Sequence, residues 1–199
     1  GDVTEGAFDE AIRHSITKMS QLHFVTNKES EKRVHQLGED PESIHLVGNP
    51  GLDHLNSIKL MGKNELEKSL RYSFKSKNIL VTFHPVTLDN VPSVNSFSAL
   101  LEALDSLGED IGIIFTRPNS DTEGRQLIKM LDEYVEDRSN CIVYTSLGQL
   151  RYLSTVALVD VVVGNSSSGI LEVPSLKTPT VNIGDRQKGR LRADSIIDC

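Results

Sequence analysis

Cysteine is nearly missing from this chain, and the little there is cannot organise a fold. Two cysteines, Cys141 and Cys199, occur in 199 residues. They stand alone, without the paired spacing of a zinc site or the density of a disulfide framework. Cys141 opens an apolar stretch and reads as a buried, inert thiol. Two isolated thiols agree with a reducing, cytoplasmic setting. Long apolar runs are also lacking. No stretch of about 18 apolar residues occurs, so no segment reads as a membrane span. These residues carry no signal-peptide pattern. Positive charge is in deficit, with 21 Lys and Arg against 28 Asp and Glu, a net charge of −7. That balance argues against non-specific nucleic-acid binding. It leaves room for an anionic ligand held by a few local donors. Internal repeats and low-complexity tracts are absent. The remaining composition, 38% hydrophobic and 25% charged, is ordinary for a globular protein. The length allows one large domain or two small ones. The chain starts at Gly1 and ends at Cys199 just after an apolar pair, and it reads as a piece of a longer protein.

What is present is alternation. Phe8, Ile12, Ile16 and Met19 have helical spacing over 8–21. His23 to Thr26 reads as a short strand, Lys28 to Leu37 as a helix stopped by Gly38, and Ile44 to Val47 as a second strand. Gly48-Asn49-Pro50-Gly51 then breaks the pattern and marks a domain boundary. Beyond it, strands are predicted at 79–83, 111–116, 141–144, 157–163 and 180–183. Helices are predicted between and beyond them near 64–74, 93–107, 121–136, 147–154 and 168–175. Continuous apolar strands separated by amphipathic helices imply a parallel sheet covered on both faces. The fold class is a doubly wound α/β domain, and ligands in such folds bind at the carboxyl ends of the strands.

Chemistry is therefore sought where strands end. The strand ending at Phe83 delivers His84-Pro85, and the one ending at Thr116 delivers Arg117-Pro118-Asn119-Ser120. The strand ending at Val163 delivers Gly164-Asn165-Ser166-Ser167-Ser168-Gly169, with Glu172 about one turn further on. The strand ending at Ile183 delivers Gly184-Asp185-Arg186. A small-residue turn between a strand and a helix offers backbone N–H groups and a favourable dipole to a phosphate. Three hydroxyls add donors, and Glu172 could accept bonds from ribose hydroxyls. The same residues also fit a simple N-capped helix, His84 a solvated loop, Asn119 a turn, and Arg186 a surface cation. The joint pattern favours a cleft for a nucleotide or nucleotide sugar. Asp9, Glu10, Arg13 and His14 form a further cluster. Asp9 and Arg13 share a helix face at i and i+4 and could simply be a salt-bridged first turn.

Four stretches, in order, resemble the UDP-N-acetylglucosamine 2-epimerase family. They are Gly1-Asp2-Val3 through Asp9 to Lys18, Thr82-Phe83-His84-Pro85-Val86-Thr87, Gly164 to Glu172, and Asn182 to Gln187. Ser-Ser-Ser-Gly and His-Pro-Val-Thr are most similar to the hydrolysing, sialic-acid-pathway branch. The resemblance implies two facing Rossmann-like domains of GT-B type. Residues 1–47 would end the first, and 48–199 would make most of the second, UDP-binding one. It implies conversion of UDP-N-acetylglucosamine and water to N-acetylmannosamine and UDP, by elimination and then hydration. It assigns catalysis to Asp9, Arg13 and His84. It assigns substrate binding to His84, Asn119, Ser166, Ser167, Ser168, Gly169, Glu172 and Arg186. No metal or cofactor is implied, and the full-length protein is expected to be a homo-oligomer. The isolated piece is expected to be inactive, because the family's other first-domain site residues lie upstream of Gly1. Other readings are the same chemistry on UDP-di-N-acetylbacillosamine, a non-hydrolysing epimerase, a GT-B glycosyltransferase, or a non-catalytic nucleotide-binding module.

Overall fold

A computed structural model describes Gly1, Val3 and residues 10–86, 91–118 and 124–199. The first block contains α1 (Glu10–Met19), β1 (His23–Val25), α2 (Lys28–Gln36) and β2 (Ile44–Leu46). β1 and β2 pair in parallel as a two-stranded sheet. The small core here is Val25, Val34 and Ile44. α1 buries none of its residues, and Ile12, Ile16 and Met19 stand exposed.

The second block begins with α3 (Pro50–Ser57) and α4 (Lys63–Leu70). Then come β3 (Lys77–Thr82), α5 (Ser93–Asp105), β4 (Ile111–Thr116), α6 (Gly124–Glu136) and β5 (Cys141–Tyr144). α7 (Gly148–Leu158), β6 (Val161–Gly164), α8 (Ser168–Leu171), β7 (Thr180–Asn182) and β8 (Ile196–Asp198) complete it. Its six strands form one all-parallel sheet in the order β5-β4-β3-β6-β7-β8.

The period-two rule explains its two cores. Ile79, Val81, Phe83, Ile113 and Phe115 face α5 and α6, meeting Phe97, Leu101, Leu127 and Leu131. The alternate residues Leu80, Ile114 and Val162 face the other way, against Leu66, Leu70 and Val156 of α4 and α7. A strand buried on both faces must be apolar at every position, which is why β3 and β4 read as unbroken runs. The expected α/β class and its doubly wound sheet are what the structure shows. The chain runs outward from β3 through β4 to β5, then returns to lay β6 on the other side of β3. The reversal of strand order therefore falls between β3 and β6.

Four details differ from the sequence expectation. The break after β2 ends at Asn49, and Pro50 and Gly51 already belong to α3, with the Asn49 side chain accepting from Gly51 N and Pro50 in the first turn. Ala157 and Leu158 finish α7 rather than open β6, because Val159 N still bonds Thr155 O and Asp160 makes the turn. The helix after the serine turn stops at Leu171 and continues as a 3-10 turn over Val173–Leu176, because Pro174 has no N–H to continue the ladder. β8, unforeseen, adds an edge strand beside β7.

Candidate functional site

The carboxyl ends of β3 and β6 lie side by side, with Thr82 paired to Gly164. Gly164 adopts φ +139°, a region that L side chains rarely enter, and a Cβ there would overlap the Thr82 carbonyl. The next residue, Asn165, is 1% exposed and ties the two strand ends together. Its Oδ1 accepts from His84 N at 2.7 Å, and its Nδ2 donates to His84 O at 2.8 Å. The amide thus pairs with the His84 backbone as a neighbouring strand would. Its own carbonyl accepts from Arg186 Nη1 at 3.1 Å and from Gln187 Nε2 at 2.8 Å. Gln187 is 2% exposed, so this contact is internal. Asn165 therefore connects the ends of β3 and β6 with the turn after β7.

The serine turn follows. Ser167 holds the N-cap position of α8, yet its side chain makes no capping bond there. The Ser166 hydroxyl instead receives Ser168 N at 3.4 Å. Gly169 is buried against Thr180, whose hydroxyl donates to Gly169 O at 2.9 Å. A cleft of about 430 Å³ opens at this rim. It is lined by His84, Ser168 and Glu172, by Thr116 and Arg117 at the end of β4, and by Tyr152 of α7. Thr145, Ser146 and Gln149 beyond β5 line it too, with Gly51 and Leu55 of α3 on its border. Four strand ends contribute to the cleft and the turn beside it.

Hydroxyls cluster at this rim. Thr116 Oγ1, at the cleft, lies 2.8 Å from the buried Thr82 Oγ1. The Tyr152 hydroxyl donates to Ser168 Oγ at 2.8 Å. Burial chiefly, with the nearby Glu172 carboxylate, pushes the phenol above its ordinary value, although the bond to Ser168 opposes the shift. Among the described residues no group of three or more His, Cys, Asp or Glu is placed to hold a metal ion. None of the described helices is long and apolar enough to cross a membrane.

The expected residues fall into three sets. His84, Ser168 and Glu172 meet in the cleft. Ser166, Ser167 and Gly169 form the turn beside it, and Arg186 reaches that turn through Asn165 O. Arg13 lies half-buried on α1, in the other block. Asp9 and Asn119 lie outside the described residues. Asn165 and Tyr152 were not singled out by sequence, since only the fold brings their partners near. The end of β5 was missed as well, although Thr145-Ser146 after an apolar run was the same kind of signal as Arg117 after β4.

Known proteins resemble this chain in sequence and in fold. Residues 1–199 match the family model described as UDP-N-acetylglucosamine 2-epimerase. The chain is 40% identical over its full length to the hydrolysing GDP/UDP-N,N'-diacetylbacillosamine 2-epimerase of Campylobacter jejuni, covering 52% of that protein. It is 41% identical over its full length to the polysialic acid biosynthesis protein P7 of Escherichia coli, covering 50%. It thus spans about half the length of the curated relatives it matches. Among solved structures, a Staphylococcus aureus MnaA–UDP co-structure superposes with a TM-score of 0.70 at 16% identity, over 90% of this chain and 46% of that one. The α/β architecture is the Rossmann-like one of GT-B type.

Proposed function

From the chain's membership of the UDP-N-acetylglucosamine 2-epimerase family, we propose that it belongs to a hydrolysing enzyme that converts UDP-N-acetylglucosamine and water to N-acetylmannosamine and UDP, in sialic acid biosynthesis. The observation that carries this reading is the placement of the serine turn and Glu172 against His84, at the point where strand order reverses. In this reading, residues 48–199 hold the nucleotide and residues 1–47 end the domain that faces it.

The chemistry sets definite demands. Elimination removes the C2 proton as UDP leaves C1, and negative charge grows on the diphosphate. Ser166, Ser167, the turn amides and Arg186 are assigned to that charge. Glu172 takes the ribose hydroxyls, Asn119 the nucleotide, and Ser168 and Gly169 complete the substrate-binding turn. His84 stabilises charge on the reacting sugar. Asp9, with Arg13 beside it, handles proton transfer, which needs a carboxylate. Water then adds to the 2-acetamidoglucal with inverted configuration at C2.

A second reading is the same chemistry on UDP-di-N-acetylbacillosamine. The 40% identity to the Campylobacter jejuni protein favours it. One product assay separates the alternatives. The full-length protein is incubated with each UDP-sugar and no acceptor. Free UDP and N-acetylmannosamine from UDP-N-acetylglucosamine support the first reading, and turnover of the bacillosamine substrate alone supports the second. A 2-epimer still attached to UDP means a non-hydrolysing enzyme. UDP release only with an added acceptor means a glycosyltransferase.

A further inference from the structure

The Tyr152 hydroxyl donates its single proton to Ser168 Oγ at 2.8 Å. Both residues line the cleft. The Ser168 oxygen already accepts from the phenol, so the serine's own proton points away from Tyr152.

We propose that Tyr152 is a positioning residue that fixes the Ser168 hydroxyl as a donor toward the bound diphosphate. This rests on the UDP-binding reading above. Without the phenol, a serine hydroxyl rotates freely between donating and accepting. With it, the cleft presents a donor at that spot, and a ligand there must bring an acceptor such as a phosphate oxygen. The phenol stays protonated at neutral pH because burial and Glu172 disfavour the phenolate.

The test measures UDP and uridine affinity of the full-length protein by calorimetry, in wild type, Tyr152→Phe, Ser168→Ala and the double variant. Tyr152→Phe keeps the ring and deletes only the hydroxyl. UDP affinity is expected to fall about 3–10-fold, the effect of one neutral hydrogen bond, and uridine affinity to stay unchanged. In the Ser168→Ala background the same change should cost nothing more, because the phenol then has no serine to orient. Three outcomes overturn the proposal: unaltered UDP affinity in Tyr152→Phe, an equal loss for uridine, or additive losses in the double variant. Failure of the wild-type protein to bind UDP would instead overturn the reading on which the proposal rests. Circular dichroism of Tyr152→Phe checks that the fold is retained.

Discussion

At Gly164 the strand must leave the sheet while its backbone lies against Thr82, and no side chain fits. Gly164→Ala combines a disfavoured φ with overlap of the Thr82 carbonyl. Gly148 is a built-in control: its φ is +64°, but nothing lies within 4 Å of a Cβ there. Gly148→Ala should cost about 1–2 kcal/mol, the strain of a left-handed residue alone. Gly164→Ala should cost clearly more, in the upper part of the roughly 1–3 kcal/mol range for strained sites or beyond it. Urea midpoints of the two variants measure the difference, and equal losses would contradict the close-approach account. Asn165→Ala removes both side-chain bonds to the half-buried His84 backbone. A loss of about 2–3 kcal/mol is expected, read from the same denaturation curves.

Among the elements, Asp160 links the turn before β6 to the start of β3. Its carboxylate accepts from Asn78 N at 2.8 Å and from Lys77 Nζ at 2.7 Å. The Lys77 bond first, then the Asn78 amide, holds its pKa below the ordinary 3.8. A pKa lowered by folding adds stability above the unfolded value, and this is lost as pH falls through the folded one. Wild type should therefore lose part of its margin over Asp160→Asn below about pH 4. Denaturation at pH 7 and pH 3 checks this. A margin that is constant or wider at pH 3 would show that the carboxylate does not brace the strands. Reading elements from sequence succeeded or failed for similarly local reasons. β4 and β5 were legible to their bounds because apolar runs met polar punctuation at both ends. α3 was not, since Asn49 and Pro50 are loop residues and helix starters alike, and only tertiary packing decides between those roles. The serine turn and His84 were visible as strand-end residues. Asn165 was visible only as part of the turn, because its bonds to His84 cross 81 residues of sequence.

Across the whole molecule, the two blocks differ in how much they bury. Among the described residues, the first keeps three buried hydrophobic residues in its own cluster, whereas two clusters sandwich the six-stranded sheet. Amides of β1 and β2 should therefore exchange with solvent at lower opening free energy than those of β3 and β4. Hydrogen exchange by mass spectrometry on this chain tests it, and equal protection in both sheets would mean that they open as one unit. The proposed division of labour makes a further demand. With Asp9 in one block and the nucleotide turn in the other, turnover needs closure of one over the other. Asp9→Asn in the full-length enzyme should lower turnover on the order of 10²-fold or more, with UDP affinity little changed. Lost UDP affinity with normal turnover at saturation would make Asp9 a binding residue instead.

The neighbouring positions of β3 and β6 also bear on synthesis. Asn78 and Asp160 are bonded to each other across 82 residues of chain. A polypeptide made from its amino end completes β3, β4 and β5 while one edge of β3 still awaits its partner. Such an edge invites pairing with other chains. Closing so long a loop is slow, because its entropy must be spent before the contacts form. The candidate cleft comes into being at that late step, when β6 docks and Gly164 settles against Thr82. A ligand that recognises only the closed site would add its binding free energy to that docking. A nucleotide present during refolding would then guard the seam between β3 and β6.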